Sequence, residues 1–466
     1  MSWRNTTILF VLAVLAVSLA WWTSPDDAAA QRGARATATL PGIERMPIED
    51  VQRIEFAWRD GRTMTFEREE RAWMQTEPFR YPLDGYRMRQ LITAAQEVEV
   101  LDRIDPGAFS EEFTPAGLGF DPHELRVRYV WDDGEAEYAL GRRGIAGRAY
   151  LRAANDEAVL VTSQHLHERL LAQRPETWRD RTLFRDVSIE LDRIIREEGS
   201  SRIVMERDRR DWLIREPVTT RADREGIERY VNAIAGARAG GFILDHPSDL
   251  ARFGLHAPVG RLRIVGSRVA PGQGERADGD ETEPERVAFE QALLVGSTAG
   301  GGTQDRFAML EGSPVVVRLP ARALAGLFMP LSELVDPTAT GVPAADVRSL
   351  QINGPDGTFL LQREMTRWIA PDHDGRRVTA EDVAELLEQL TEHRAPEMVV
   401  SEYPQDLHVA TITLFGYDRR PLDTVRVAYD PEIRRWALEN GDNILRVQAS
   451  GYEIKLTPGE FGLPGE

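Results

Sequence analysis

Three segments of the chain spell one unit: FEREERAW (66–73), MERDRRDW (205–212) and LQREMTRW (361–368). Each runs from an apolar residue through Glu or Gln, Arg and an acid to a tryptophan seven positions on. This constrains the fold more than composition does. A chain that writes one unit three times is built from three copies of one supersecondary module.

The flanks repeat as well. Asp60-Gly61, Glu198-Gly199 and Asp356-Gly357 read as hairpin turns between two short apolar runs, opened by Val51, Val187 and Val347. Pro78, Pro217 and Pro371 then end a strand, because proline cannot donate to a ladder. A helix follows in each copy, with Asp84, Thr220 and Thr379 as N-caps; Asp223 and Asp382, three residues after the threonines, have a capping-box-like spacing. Met88, Leu91, Ile92 and Ala95 recur at helical period, as do Ile227, Tyr230, Val231 and Ile234, and then Val383, Leu386, Leu387 and Leu390. Each set makes one apolar stripe to be buried against a neighbouring sheet.

Beyond the first two helices, AGLGFDP (116–122) and FGLHAP (253–258) precede two alternating strand patterns, and a last hairpin closes every copy (150–161, 307–317 and 436–447). The third copy has DLHVATITLF (406–415) in place of the Gly-Leu element. Tryptophans 73 and 212 lie 139 positions apart, and tryptophans 212 and 368 lie 156 apart. The excess coincides with residues 268–286 (RVAPGQGERADGDETEPER), a Gly-, Pro- and acid-rich stretch that reads as a disordered surface loop.

At 466 residues the chain has room for about three domains. Its 76 acidic residues outnumber 57 basic ones, for a net charge of −19. That argues against nucleic acid as a partner, which needs clustered positive charge. Cysteine is absent, which excludes disulfides, thiolate nucleophiles and cysteine-based metal sites. Thr6 to Trp22 is an apolar run of 17 residues, about the shortest that spans a bilayer core. Arg4 before it, and Asp26 and Asp27 after it, place the amino terminus in the cytoplasm and the bulk of the chain outside. Residues 1–23 are read as an anchor, the alternative being a signal peptide cleaved after Ala28-Ala29-Ala30; residues 24–45 read as a flexible stalk.

The residues that could carry chemistry have simpler structural readings. GSTAGGG (296–302) lacks the Lys-Ser/Thr ending of a phosphate loop and joins two strand patterns. His165 and His167, the only close pair among eight histidines, face different sides of a helix. Asp372-His373-Asp374-Gly375 has the chemistry of a turn. The recurring pairs Arg68/Glu69, Arg207/Asp208 and Arg363/Glu364 are expected to make cross-strand ion pairs. No catalytic, cofactor-binding or metal-binding residue is assigned.

The motifs WLIREP (212–217), RADREGIERYVNAI (221–234), DLARFGLHAP (249–258) and ALLVG (292–296), with WRDRTLF (178–184) as a closing segment, resemble the bacterial membrane-anchored family called domain of unknown function 4340 (DUF4340). The third copy departs from the pattern, and WRDRTLF has no counterpart in sequence after the second or third. The resemblance implies an accessory protein beside an ABC-type transport system on the outer face of a bacterial inner membrane, with no catalytic residues to carry over.

The expected fold class is α+β. Three tandem modules (46–185, 186–342 with the 268–286 insertion, and a diverged 343–466), each a mostly antiparallel sheet with one main amphipathic helix, follow the amino-terminal transmembrane helix. The expected function is a non-enzymatic, membrane-anchored extracytoplasmic protein that binds an ABC-type permease or envelope complex. A glycan-cleaving envelope hydrolase, or a glycan- or lipid-binding module, is the alternative.

Overall fold

The alternating apolar patterns close into three sheets of one topology. The computed structural model describes residues 39–464, apart from 71, 111–113, 172–173, 186, 188–190 and 270–285. The expected anchor (1–23), most of the stalk and all but the ends of the 268–286 loop lie outside the described residues. Among the described residues no helix is long and apolar enough to cross a membrane.

The chain divides into two compact units, Met1–Asp180 and Arg181–Glu466. The first holds β1 (Val51–Trp58), β2 (Thr63–Glu69), β3 (Ala72–Glu77), β4 (Tyr81–Pro82), α1 (Gly85–Gln96), β5 (Val100–Ile104), β6 (Leu125–Trp131), β7 (Gly134–Arg143), β8 (Arg148–Ala153), β9 (Val159–Ser163) and α2 (His165–Leu170). Its strand order is β4-β3-β2-β1-β6-β7-β8-β9-β5, antiparallel throughout. Two meanders thus meet at β1 and β6, and α1 carries the chain from one edge of the sheet to the other.

The second unit repeats this twice. β10 (Leu191–Glu198), β11 (Ser201–Asp208), β12 (Asp211–Glu216), β13 (Thr220–Arg221), α3 (Arg224–Ala235), β14 (Gly241–Asp245), β15 (Gly260–Val269), β16 (Arg286–Thr298), β17 (Arg306–Leu310) and β18 (Val315–Leu319) lead to α4 (Ala321–Leu327). Then come β19 (Ser349–Gly354), β20 (Gly357–Glu364), β21 (Arg367–Ala370), β22 (Arg376–Val378), α5 (Ala380–Thr391), β23 (Glu397–Val400), β24 (His408–Phe415), β25 (Pro421–Asp430), β26 (Arg435–Glu439) and β27 (Ile444–Val447). The orders β13-β12-β11-β10-β15-β16-β17-β18-β14 and β22-β21-β20-β19-β24-β25-β26-β27-β23 match the first sheet position for position. The fold is α+β, with three copies of one antiparallel sheet.

Each repeated motif now has a place. The variable positions of the motif close two-residue hairpins in which Glu70, Arg209 and Met365 take positive φ values of 53, 56 and 55°. The stripes Met88, Leu91, Ile92, Ala95 and Val383, Leu386, Leu387, Leu390 are wholly buried; in α3, Ile227, Tyr230 and Ile234 are buried and Val231 is partly so. Burial of each large member of these stripes contributes about 1.5–3 kcal/mol relative to exposure.

Five expectations are corrected. Ladder register makes Leu191, and not Val187, the counterpart of Val51 and Val347, because Val51 faces Trp131 as Leu191 faces Gly266. The N-cap of α3 is Asp223, whose carboxylate accepts from Gly226 N–H at 3.0 Å, as Asp84 accepts from Tyr86 N–H in α1. Asp84, Asp223 and Thr379 each stand 11 positions after their tryptophans, an offset that Thr220 breaks. Thr379 caps α5 without a side-chain hydrogen bond, and Asp382 instead holds Lys455 at 2.6 Å. Residues before position 46 also belong to the first core: Leu40 and Ile43, within the expected stalk, pack there, and Tyr138 donates to the Pro41 carbonyl. At the insertion, Arg268 and Val269 pair with Val287 and Arg286, so the strands run into both ends of the expected loop.

The Gly-Leu element packs on the face of the sheet away from the helix. Leu118 and Phe120 join Val159 in one small cluster, and Phe253 and Leu255 join Leu294, Met309 and Val316 in another. This explains the glycine in ALLVG. A Cβ on Gly296 would sit 2.0 Å from the Phe253 carbonyl oxygen, and one on Gly141 2.4 Å from that of Leu118. Gly296→Ala is therefore expected to destabilise the second unit by about 1–3 kcal/mol through overpacking. The check is the chemical-denaturation midpoint of the full chain, with Gly459→Ala, at an exposed position with open space and no left-handed backbone, as the reference.

Candidate functional site

The second and third sheets belong to one unit, and their junction concentrates its buried polar groups. It starts from β13, which pairs Ile214 with Thr220 and Leu213 with Arg221. Thr220 is buried and donates its hydroxyl to Asp442 Oδ2 at 2.5 Å. Arg221 Nε binds Asp336 Oδ2 at 2.8 Å. Asp336 in turn accepts from the Thr338 hydroxyl at 2.8 Å, and Thr340 donates to Asp423 at 2.5 Å.

Arg446 ties the network together. It is fully buried, binds Asp442 Oδ2 at 2.7 Å through Nη2, and donates from Nε to the Asp336 carbonyl at 3.0 Å. Burial works to raise the Asp442 carboxyl, but the Arg446 guanidinium, the Thr220 hydroxyl and the Ile444 N–H hold it below its ordinary value. Asn440, oriented to satisfy both its ends, donates to Asp442 and accepts from Arg221. On the helix side, Arg394 reaches the N-cap carboxylate Asp223 at 2.9 Å, which raises the guanidinium's pKa.

Above this network lies an open cleft of about 1220 Å3, walled by the Asp208–Leu213 turn, Arg221–Arg224 and Thr340–Pro343. A smaller hollow of about 390 Å3 adjoins it, lined by Trp212, Ile227 and Val231 and by the charged Arg207, Arg210, Asp211, Arg224 and Glu228. Trp212 belongs to both. Its counterparts Trp73 and Trp368 are buried (8% and 7% exposed), whereas Trp212 is only partly covered. One of three equivalent tryptophans thus faces an opening.

The other residues singled out in the sequence are dispersed. GSTAGGG runs out of β16 into the loop before β17, with Gly300, Gly301 and Gly302 all at positive φ. Asp372-His373-Asp374-Gly375 is a turn, as expected, with Asp374 left-handed. His165 is exposed and His167 buried on opposite sides of α2. Among the described residues no three His, Asp or Glu side chains are grouped to hold a metal.

The recurring Arg-acid pairs need correction. The motif arginines lie opposite the tryptophans in register (Arg68 with Trp73, Arg207 with Trp212, Arg363 with Trp368). The preceding acids make the ladder ion pairs instead, Glu67 with Arg53 at 2.6 Å and Glu206 with Arg193 at 3.2 Å, while Glu69 is held by Arg80 across the β4 turn.

The junction residues Asp336, Arg394, Asp442 and Arg446 were not found by motif. One signal existed for Arg446. Alternation in ILRV (444–447) puts it on the inward face, at the register position filled by the buried Leu160 and Val317. A charge at a core position requires a partner. The closing segment WRDRTLF likewise has a backbone counterpart that its residues conceal. Leu83 bridges Arg179 as Ala222 bridges Val335, and Asp84 N–H donates to Trp178 O as Asp223 N–H does to Leu334 O. LVDPTAT (334–340) takes its place.

A family model matches residues 111–214 and 212–408, together well over half the chain; it is described as Domain of unknown function (DUF4340). The two matches meet in β12, at Trp212. No curated protein matches the chain.

Proposed function

The chain belongs to the DUF4340 family, and we propose that it is a non-enzymatic, membrane-anchored extracytoplasmic protein that binds a component of an ABC-type transport or envelope complex. The observation that carries this reading is Trp212. A position used for core packing in the first and third sheets is left open in the second, beside a hollow lined by three arginines and two acids. Tryptophan and arginine dominate the binding energy of protein interfaces.

The junction carboxylates support the same reading, since Asp223, Asp336 and Asp442 are already engaged by Arg394, Arg221 and Arg446. The membrane location rests on the Thr6–Trp22 run and the charges around it.

The test is crosslinking in native membranes followed by purification of the full chain. Recovery of a permease, ATPase or envelope subunit is expected, with the yield lowered several-fold by Trp212→Ala. Recovery of the chain alone would contradict the proposal.

A further inference from the structure

The third sheet carries a cationic surface that the repeat makes conspicuous. β1 and β2 set Arg53 opposite Glu67, and β10 and β11 set Arg193 opposite Glu206, but β19 and β20 set Ser349 opposite Gln362. Glu55, which holds Arg53 at 3.3 Å and Arg128 at 3.4 Å, is replaced at its register position by Gln351. Both of these ladder acids are absent from the third sheet, where arginines line the surface instead. Arg348, Arg363 and Arg419 line a concavity of about 640 Å3 whose lining, among the described residues, includes no carboxylate. The adjacent Asp418 is engaged by Arg420 at 3.4 Å.

Three further features mark the patch in a chain of net charge −19. The Arg348 guanidinium stacks 3.6 Å from the Tyr417 ring centroid, and its Nε is buried with no hydrogen-bond partner. Tyr417 is 78% exposed and Met365 is 86% exposed. Arginine, tyrosine and methionine are the residue types enriched in protein interfaces, and a guanidinium fork matches a carboxylate in two bonds.

We propose that this concavity docks an acidic segment of a partner protein. Arg348 and Arg363 take its carboxylates, and Met365 and Tyr417 take a neighbouring apolar side chain. The inference rests on the proposed binding role only in taking the ligand to be a protein.

The test places p-benzoylphenylalanine at position 417 of the full chain in cells and irradiates. A discrete protein adduct is expected, crosslinked through an Asp/Glu-rich peptide. Arg348→Glu with Arg363→Glu should lower its yield roughly tenfold or more, as loss of one side of an interfacial charge pair does. Arg348→Gln with Arg363→Gln, checked for an unchanged thermal midpoint, separates lost docking from lost folding. An adduct undiminished by either pair, an adduct through a peptide without acids, or no protein adduct at all would overturn the proposal. An acidic adduct from a protein outside transport and envelope assembly would keep the docking site and remove the transport reading.

Discussion

Arg446→Ala is expected to destabilise the second unit by about 3–5 kcal/mol, the cost of leaving a buried carboxylate without its counter-charge. The substitution strands Asp442, which then keeps only the Thr220 hydroxyl, Asn440 and backbone N–H groups. It also frees the Asp336 carbonyl that Arg446 Nε now satisfies. The loss should be confined to the unit of residues 181–466, which contains every partner named.

The repeat itself supplies the rescue. Leu160 and Val317 fill the equivalent buried position in the other two sheets, so Arg446→Val combined with Asp442→Asn should recover most of the loss. Denaturation midpoints of the two variants measure this. A single variant within about 0.5 kcal/mol of the parent, the range of ordinary surface substitutions, would show that the pair contributes nothing. Asp442 also gives the junction a direction with pH. Its carboxyl is held below its ordinary 3.8, so its stabilisation is complete above that value and is lost as pH falls through the lower folded one.

The second large effect belongs to the first unit. His167 is fully buried, with Nε2 3.0 Å from the Tyr150 carbonyl oxygen. Burial lowers its pKa from 6.5 to about 4, against the opposing pull of backbone carbonyls. Above pH 6.5 neither folded nor unfolded chain carries the proton. Between 6.5 and about 4 the unfolded chain takes it and the folded chain does not, so stability falls as pH drops. The fall levels off below about 4, with a total of about 3 kcal/mol at 1.36 kcal/mol per pKa unit. Amide exchange of α1 across pH 4–7, corrected for intrinsic rates, should show this loss, and His167→Gln should flatten it. An equal pH slope in the variant would assign the effect elsewhere.

Much of the fold was legible because the repeat fixes spacing. Trp73, Trp212 and Trp368 align three hairpins, and the apolar stripes of α1, α3 and α5 fall on the buried faces. Errors arose where residue type was allowed to outrank spacing. Thr220 looks like an N-cap, but its offset from Trp212 matches a strand position, and its hydroxyl serves a carboxylate 222 positions away. The same holds for Val187 against Leu191.

The site was far less legible. Its contacts join β13, the 334–340 connection and the β26–β27 hairpin, and no local pattern encodes pairings of that sequence separation. Only Arg446 announced itself, as a charge on an inward face. The segment 212–234 lines part of the open cleft and anchors the junction.

The central claim is that the polar junction makes the second and third copies one cooperative body. Native-state hydrogen exchange of the full chain, followed through increasing denaturant, tests it most directly. The slowest amides of α3 and α5 should converge on one opening free energy in the parent chain, and Arg446→Ala should lower both together. Two separate free energies that respond independently to Arg446→Ala would contradict the claim.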